Sequence, residues 1–351
     1  MYCRKVLIQM ENGSEICHKW MMDLYTKKNV TLEEVNDRLI VRFLGGICFL
    51  SILMVVGLIG NAHVLFIYHR KFRRTNYRIY VLWLAMLDMF NCGISAPFVI
   101  FYLLHPANFP SSELCKIFRF ILYFCGVAST ASLVPIAIDR GRKILAPLKS
   151  QITSTQAKVM CLLSLIVALS LSWPAPILFG INSEPTGIPG LRGRRCLTED
   201  RFVKSREIII FNLAHLVYFL VVTALLLIVY SLIARIIWIH GTFRNTFQHS
   251  SVNSDIFDSN YSIPRFTSLH RSTLTLLVVT LVYILSALAY HALALVYFLI
   301  PGFDCSLSLP GAILYYTFIW SYFINSACNP FIYGFRDNTF RMEMKRLYKG
   351  S

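Results

Sequence analysis

Seven stretches of the chain, at about 43–67, 79–104, 114–138, 157–180, 208–238, 272–300 and 311–335, are each long and apolar enough to cross a lipid bilayer. A helix covers the roughly 30 Å hydrocarbon core with about 20 predominantly apolar residues. Hydrocarbon offers no partner for an open peptide group, so each run closes its backbone on itself as a helix. The expected fold is an all-α membrane protein: a bundle of seven transmembrane helices. Composition agrees, since the chain is 56% hydrophobic and only 15% charged, with the charge in patches between the runs rather than spread as a soluble coat. The organisation read from this is an extracellular N-terminal segment over 1–42, a seven-helix domain over 43–335 whose 235–271 connection includes the third inner loop, and a short helix and tail over 336–351.

Charge orients the bundle. The segments from His69 to Arg78, 139–158, 235–271 and 336 onward carry a net +14, against +3 for the segments on the other side. Basic residues stay in the cytoplasm, which puts the tail inside and the N-terminus outside, in the plasma membrane. Asn12 and Asn29 both head Asn-x-Ser/Thr triplets, glycosylation acceptors that make sense outside. The opening "MYCRKVLIQMENGSEICHKW" lacks the apolar core of a cleavable signal, so the first helix is expected to drive insertion. The net charge of +16 calls for no nucleic acid, because basic inner flanks face anionic lipid.

Ten cysteines include no Cys-x-x-Cys pair, and no His cluster has metal spacing, so a zinc or redox site is not expected. Cys48, Cys92, Cys125, Cys161 and Cys328 fall in spans as small packing residues, whereas Cys3, Cys17, Cys115, Cys196 and Cys305 fall outside, where disulfides persist. A single acid, Asp88 in "LAMLDMF", sits deep in a span at a cost that demands partners. Asn61, Ser129, Asn325, Ser326 and Asn329 lie at comparable depth. Such oxygens suit a small cation, and they suit a polar knot between helices equally well. A membrane ion transporter built on Asp88 is thus an alternative, though no inverted repeat accompanies it.

Asn61 after Gly60, Asp88 in "LAMLD", Cys115 lying 25 residues before Arg140, the Asp139-Arg140 step and "NPFIY" at 329–333 occur in order. Together they resemble the signature of rhodopsin-like, class A G-protein-coupled receptors, over about 43–347. The resemblance implies a receptor, not an enzyme, that passes an extracellular signal to heterotrimeric G proteins. It implies that Arg140 is held by Asp139 at rest and released towards the G protein, that Pro147-Leu148 contacts the G protein, and that Tyr230, Asn329, Pro330 and Tyr333 rearrange on activation. It also implies a Cys115–Cys196 disulfide and, as the sole cofactor, an allosteric sodium ion at Asp88. Arrestin is a further implied partner, for which the hydroxyl-rich inner loop at 242–268 offers phosphorylation sites. In "FRDNTFRMEMKRLY" (335–348), Phe340, Met344 and Leu347 are expected to face lipid while Arg341 and Lys345 face headgroups.

The chain also departs from that family. In "YILSALAYHAL" (283–293), Tyr283 stands for the usual aromatic, Ala287 for Trp and Ala289 for Pro; Val222 and Ser164 replace a proline and a tryptophan in spans five and four. Without proline no kink is forced, and a non-signalling decoy of the same fold is a second alternative. Span seven has no lysine for retinal, and Leu122 and Tyr123 occupy the place of an amine-binding acid. The outer bundle offers Tyr102, Tyr123, His215, Tyr290, His291, Tyr315, Tyr316 and Trp320, which read as a peptide surface or as interfacial belts. "LRGRRCLTEDRFVKSR" (191–206) is basic, and Arg119 lies a turn below Cys115. Arg119, Arg194 and Arg195 are expected to attract an acidic group on a peptide, unless the loop is only solvated.

Overall fold

The computed structural model describes residues 27, 29–186, 188, 190–203, 205–250, 263–300 and 303–349. Cys3, Asn12 and Cys17 lie outside these residues, as do the side chains of 240–271 and of Cys305. Span one is α1 (Leu32–Lys71). Span two is α2 (Asn76–Phe90), a π-helical turn (Asn91–Ser95) and α3 (Ala96–Leu104). Span three is α4 (Ser112–Leu145), and span four is α5 (Ser154–Ser172) with the short α6 (Ala175–Leu178). A hairpin of β1 (Phe179–Pro185) and β2 (Arg192–Thr198) leads to span five, α7 (Arg206–Ser250). Span six is α8 (Ile263–Leu299); after α9 (Phe303–Ser306), span seven is α10 (Leu309–Phe318) and α11 (Phe323–Arg336), and α12 (Asn338–Lys349) follows.

Helix α1 starts about three turns before the first apolar run. Thr31 accepts from the Glu34 N–H at 3.3 Å and Glu34 accepts from the Thr31 N–H at 3.4 Å, a reciprocal cap. One turn in, buried Asn36 donates to the Leu104 carbonyl and accepts from the Ala107 N–H, each at 3.1 Å, fixing the extension to the first outer loop. Lower down, Gly46 lets spans one and seven touch. A Cβ there would stand 2.5 Å from the Tyr316 carbonyl oxygen.

Three spans depart from the expected single helices, span four among them, where α5 and α6 are separated at Trp173–Pro174. In span two the Ala96 N–H bonds to the Asn91 carbonyl, a one-residue widening just before Pro97, whose ring cannot continue an ordinary turn. Span seven breaks at Ile319–Tyr322, so among the described residues six helical spans are long and apolar enough to cross alone, and the seventh crossing is made of two. Where span four lacks its tryptophan, a hydroxyl chain joins three spans instead: Trp83 donates to Ser132 at 2.8 Å, and Ser132 and Ser164 are 2.9 Å apart.

Exposed Ile52, Ile166, Ile210 and Leu285, each more than 60% accessible, form the outward belt that a lipid solvent requires. Inside, one core gathers Tyr68, Tyr80, Leu133, Leu226 and Tyr333 towards the inner face, and another gathers Leu50, Leu103, Phe118 and Phe323 towards the outer face. The terminal helix corrects one expectation. Phe340 is only 2% exposed and stacks on Tyr68 at 5.8 Å, so it faces the bundle rather than lipid. Asp337 draws it in by capping α12, its carboxylate accepting from the Thr339 and Phe340 N–H groups at 3.0 and 3.1 Å. Met344 packs beside the same core, while Leu347 remains 43% exposed.

Candidate functional site

At the inner end of span three, Asp139 and Arg140 are both buried. Asp139 Oδ2 accepts from Arg140 at 2.6 Å and from Lys143 at 2.8 Å, and Oδ1 accepts from Asn76 at 2.9 Å. The Arg140 guanidinium also donates to Ser272 of span six at 3.2 Å and lies 5.9 Å from the centre of the Tyr77 ring. Sequence reading found the Asp-Arg pair and missed Lys143 and Asn76. Lys143 follows Asp139 by one helical turn, an i,i+4 spacing that could have signalled the contact. Nearby, Leu148 is fully exposed and Pro147 is exposed beside it, so an apolar side chain protrudes at the inner surface. The hydroxyls of Tyr230 and Tyr333 are buried without a hydrogen-bond partner.

Midway through the bundle, Asp88 Oδ2 accepts from Asn329 at 2.6 Å. Asn61 donates to the carbonyls of Gly57 and Ser326 at 2.9 Å, and Asn91 donates to the Ser326 hydroxyl at 3.4 Å. Spans one, two and seven are therefore knotted here. Asp88 Oδ1, Asn61 Oδ1, Asn325 Oδ1, Asn329 Oδ1 and Ser129 Oγ are nevertheless buried with no partner. Pro330 sits inside α11, packed where a Cβ on Gly60 would come within 2.7 Å of its ring.

Above this knot, ring contacts run in a circuit round the bundle. Arg119 lies 5.3 Å from Tyr102, which meets Trp320 at 6.4 Å; Trp320 meets Tyr322 at 6.3 Å, and Tyr322 meets Tyr290 at 5.2 Å. Tyr290 touches His291 at 5.0 Å, and His291 lies tilted against Phe219 at 4.0 Å. One turn away on the same helix face, His215 meets Tyr123 at 4.9 Å, Tyr123 meets Phe179 at 5.5 Å, and Phe179 returns to Arg119 at 5.1 Å. The path, open only between Phe219 and His215, brings together Arg119, Tyr123, His215, Tyr290 and His291 from spans three, five and six. Phe179, Phe211, Phe219 and Tyr322 were missed in the sequence, although Phe211, His215 and Phe219 recur at the four-residue spacing that marks one helix face. Tyr316 instead packs on Phe43 of span one at 4.3 Å, and Tyr315 packs on Phe303 at 5.4 Å.

The disulfide Cys115–Cys196 is present, joining β2 to the first turn of α4. Arg119 donates to the Cys196 carbonyl and also faces Phe118 at 5.7 Å. Its Nε is buried and unpartnered. The basic arginines of the hairpin do not all converge on it. Neighbours in a strand point to opposite faces, and Arg194, exposed, donates to the Pro110 carbonyl at 3.2 Å while its backbone pairs with Ala107 and Phe109 of the first outer loop. Arg195 sits opposite Asn182 in the hairpin register. Asn29 is exposed with φ 66° just before the α1 cap, a left-handed conformation that asparagine tolerates.

A family model described as 7 transmembrane receptor (rhodopsin family) matches residues 60–333. Growth hormone secretagogue receptor type 1 of Oryctolagus cuniculus is 27% identical over 305 residues, covering 84% of this chain and 78% of that receptor. Its Homo sapiens counterpart is 25% identical over the same shares. The neuropeptide S receptor of Mus musculus is 28% identical over 197 residues, covering 56% of this chain and 52% of that one. With apolar helices, the knotted polar core and the Asp139–Arg140 pair in place, this chain belongs to the rhodopsin family of seven-transmembrane receptors, multi-pass membrane proteins whose general function is signalling through G proteins rather than catalysis.

Proposed function

We propose that this receptor lies in the plasma membrane with its N-terminus outside, and that it answers a peptide presenting an acidic group to Arg119. The observation that carries the reading is the polarity of the outer chamber. Arg119 Nε and Trp320 Nε1 are buried donors without acceptors, a state that costs free energy until a ligand supplies an oxygen. His215 adds the complementary group: its Nδ1 lies 2.9 Å from the Phe211 carbonyl, which accepts a hydrogen bond from Nδ1–H and so leaves Nε2 as an acceptor. A peptide carries both a carboxylate and N–H donors. The likeness to a receptor named for neuropeptide S supports a peptide rather than an amine.

On the inner side, the reading is that ligand binding shifts the population in which Arg140 has left Asp139, opening the surface beside Leu148 to a G protein. Arrestin would use the same face once the inner loop is phosphorylated. The five orphan oxygens of Asp88, Asn61, Ser129, Asn325 and Asn329 fit a small hard cation, and those residues would hold sodium, which supplies positive charge beside a buried carboxylate.

The test is a secreted-peptide library applied to cells expressing the chain with a panel of G-protein sensors. The expected hit carries a free or side-chain carboxylate and loses affinity in an Arg119, Arg194 and Arg195 triple alanine variant. Unchanged affinity in that variant would remove the case for an anionic ligand. Arg140→Ala should reach the surface and give no G-protein response.

A further inference from the structure

We propose that Lys143 sets the resting balance of the arginine switch by acting as a standing counter-ion for Asp139, so that Arg140 can leave without stranding a buried charge. The inference rests on Arg140 being the switch. The Asp139 side chain is 0% exposed, and a buried carboxylate stripped of its cation is strongly unfavourable. Here two other partners stay behind. Lys143 reaches the same Oδ2 atom at 2.8 Å from one turn further along α4, and Asn76 holds Oδ1 at 2.9 Å from the start of α2. Asn76 does not depend on Arg140 for its position, since it is itself fixed by donation to the Ile152 carbonyl at 2.8 Å and by acceptance from Ser154 at 3.2 Å, and Lys143 is carried by the same helix as Asp139.

The resting contact also carries a built-in repulsion, because Arg140 and Lys143 place two cations on one oxygen. Departure of Arg140 removes the repulsion and leaves Asp139 to Lys143. Span six adds little resistance. Arg140 meets it through a neutral hydrogen bond to Ser272 at 3.2 Å, and the sequence of α8 contains no Asp or Glu. The balance between the two states is therefore decided at Asp139.

Fusing the receptor to each of a panel of G-protein α subunits makes coupling intramolecular and raises basal signalling to a measurable level. Normalised to surface receptor, Lys143→Gln should lower that signal about tenfold, the scale of one charge-assisted hydrogen bond, and Lys143→Arg should restore it. In an Asp139→Asn background Lys143→Gln should change nothing, because its route through the carboxylate is gone. An equal fall in both backgrounds, or no fall in the native one, would overturn the proposal and leave Lys143 as a direct G-protein contact or a solvated side chain. Arg140→Ala in the same fusions separates the two claims: signalling that survives it refutes the switch itself, whatever Lys143 does.

Discussion

Sodium dependence follows from the orphan oxygens around Asp88, and thermal stability can measure it without any ligand. If sodium binds there, one carboxylate and four neutral oxygens would make a site of low charge, and since the ion carries half the charge of calcium a dissociation constant on the order of 10 mM, weaker than the weakest oxygen-ligated calcium sites, is the expectation. A cation bound to the folded state alone stabilises by RT ln(1 + [L]/Kd), so about 150 mM sodium contributes about 1.6 kcal/mol. Potassium, a larger and less strongly polarising cation, should contribute far less. The assay is thermal unfolding of detergent-purified receptor at constant ionic strength, with sodium exchanged for potassium or choline. Asp88→Asn keeps the shape and removes the charge. It should abolish the sodium increment, whereas Asp139→Asn, outside the cage, should keep it. An equal shift with potassium, or a sodium shift that survives Asp88→Asn, would refute the reasoning.

Arg119→Ala should raise the dissociation rate of an acidic peptide about ten- to a hundredfold, since a partly desolvated charged bond is lost, whereas exposed Arg194→Ala should mainly slow association and flatten its salt dependence; kinetics over a salt series distinguish the two. Gly46→Ala should lower the unfolding temperature, because its Cβ meets the Tyr316 carbonyl oxygen at 2.5 Å and overpacking costs about 1–3 kcal/mol. Gly126→Ala, which meets nothing within 4 Å, should hold or raise that temperature, and a matched loss at both positions would contradict the argument. Ser321→Ala should cost about 1 kcal/mol through the bond to the Ser286 carbonyl and should shift basal signalling; a variant with native stability and native signalling would mean that this bond couples nothing. Stimulated phosphorylation should map by mass spectrometry to the 242–268 loop, not to Thr339 or Ser351 of the tail.

Hydropathy made the seven crossings legible because solvent chooses the residues facing it, and a buried Asp88 or Arg140 is conspicuous against that background. The Cys115–Cys196 bridge followed from the family's order of motifs. What stayed hidden depends on direction rather than on residue type. A hydropathy window counts apolar residues and does not register where backbone bonds change partner, so it could not see the widened turn at Asn91–Ser95 or the break at Ile319–Tyr322. Phe340 looked like a lipid anchor because its spacing is amphipathic, yet Asp337 caps the helix and turns that residue onto Tyr68. Arg194 and Arg195 looked equivalent within a basic loop. The hairpin pairing set them on opposite faces, and that pairing needed the register Ile181 to Cys196, which no local pattern announces.

The break in span seven bears on the missing tryptophan and proline of span six. Helix α8 runs unbroken over 37 residues, as expected where no proline removes an N–H, so no joint lies within it. The interruption lies opposite, at Ile319–Tyr322, and Ser321 within it donates to the Ser286 carbonyl of span six at 2.8 Å. Trp320 and Tyr322, on either side of Ser321, belong to the aromatic circuit of the outer chamber, and Tyr322 meets Tyr290 of span six at 5.2 Å. Three residues beyond Tyr322, α11 carries Asn325, then Ser326 and Asn329, into the polar core, and Tyr333 follows towards the inner face. A helix end transmits displacement along its axis because its backbone bonds are stiff, while an interruption yields. Chamber, joint and polar core are thus covalently consecutive in span seven, and span six is attached at the joint by a hydroxyl and a pair of rings. The small side chain of Ala287, 5% exposed, leaves no bulky lever of its own in span six. Loss of the tryptophan and proline of span six therefore leaves a covalently continuous connection from the outer chamber through the polar core to Tyr333 at the inner face, carried by span seven.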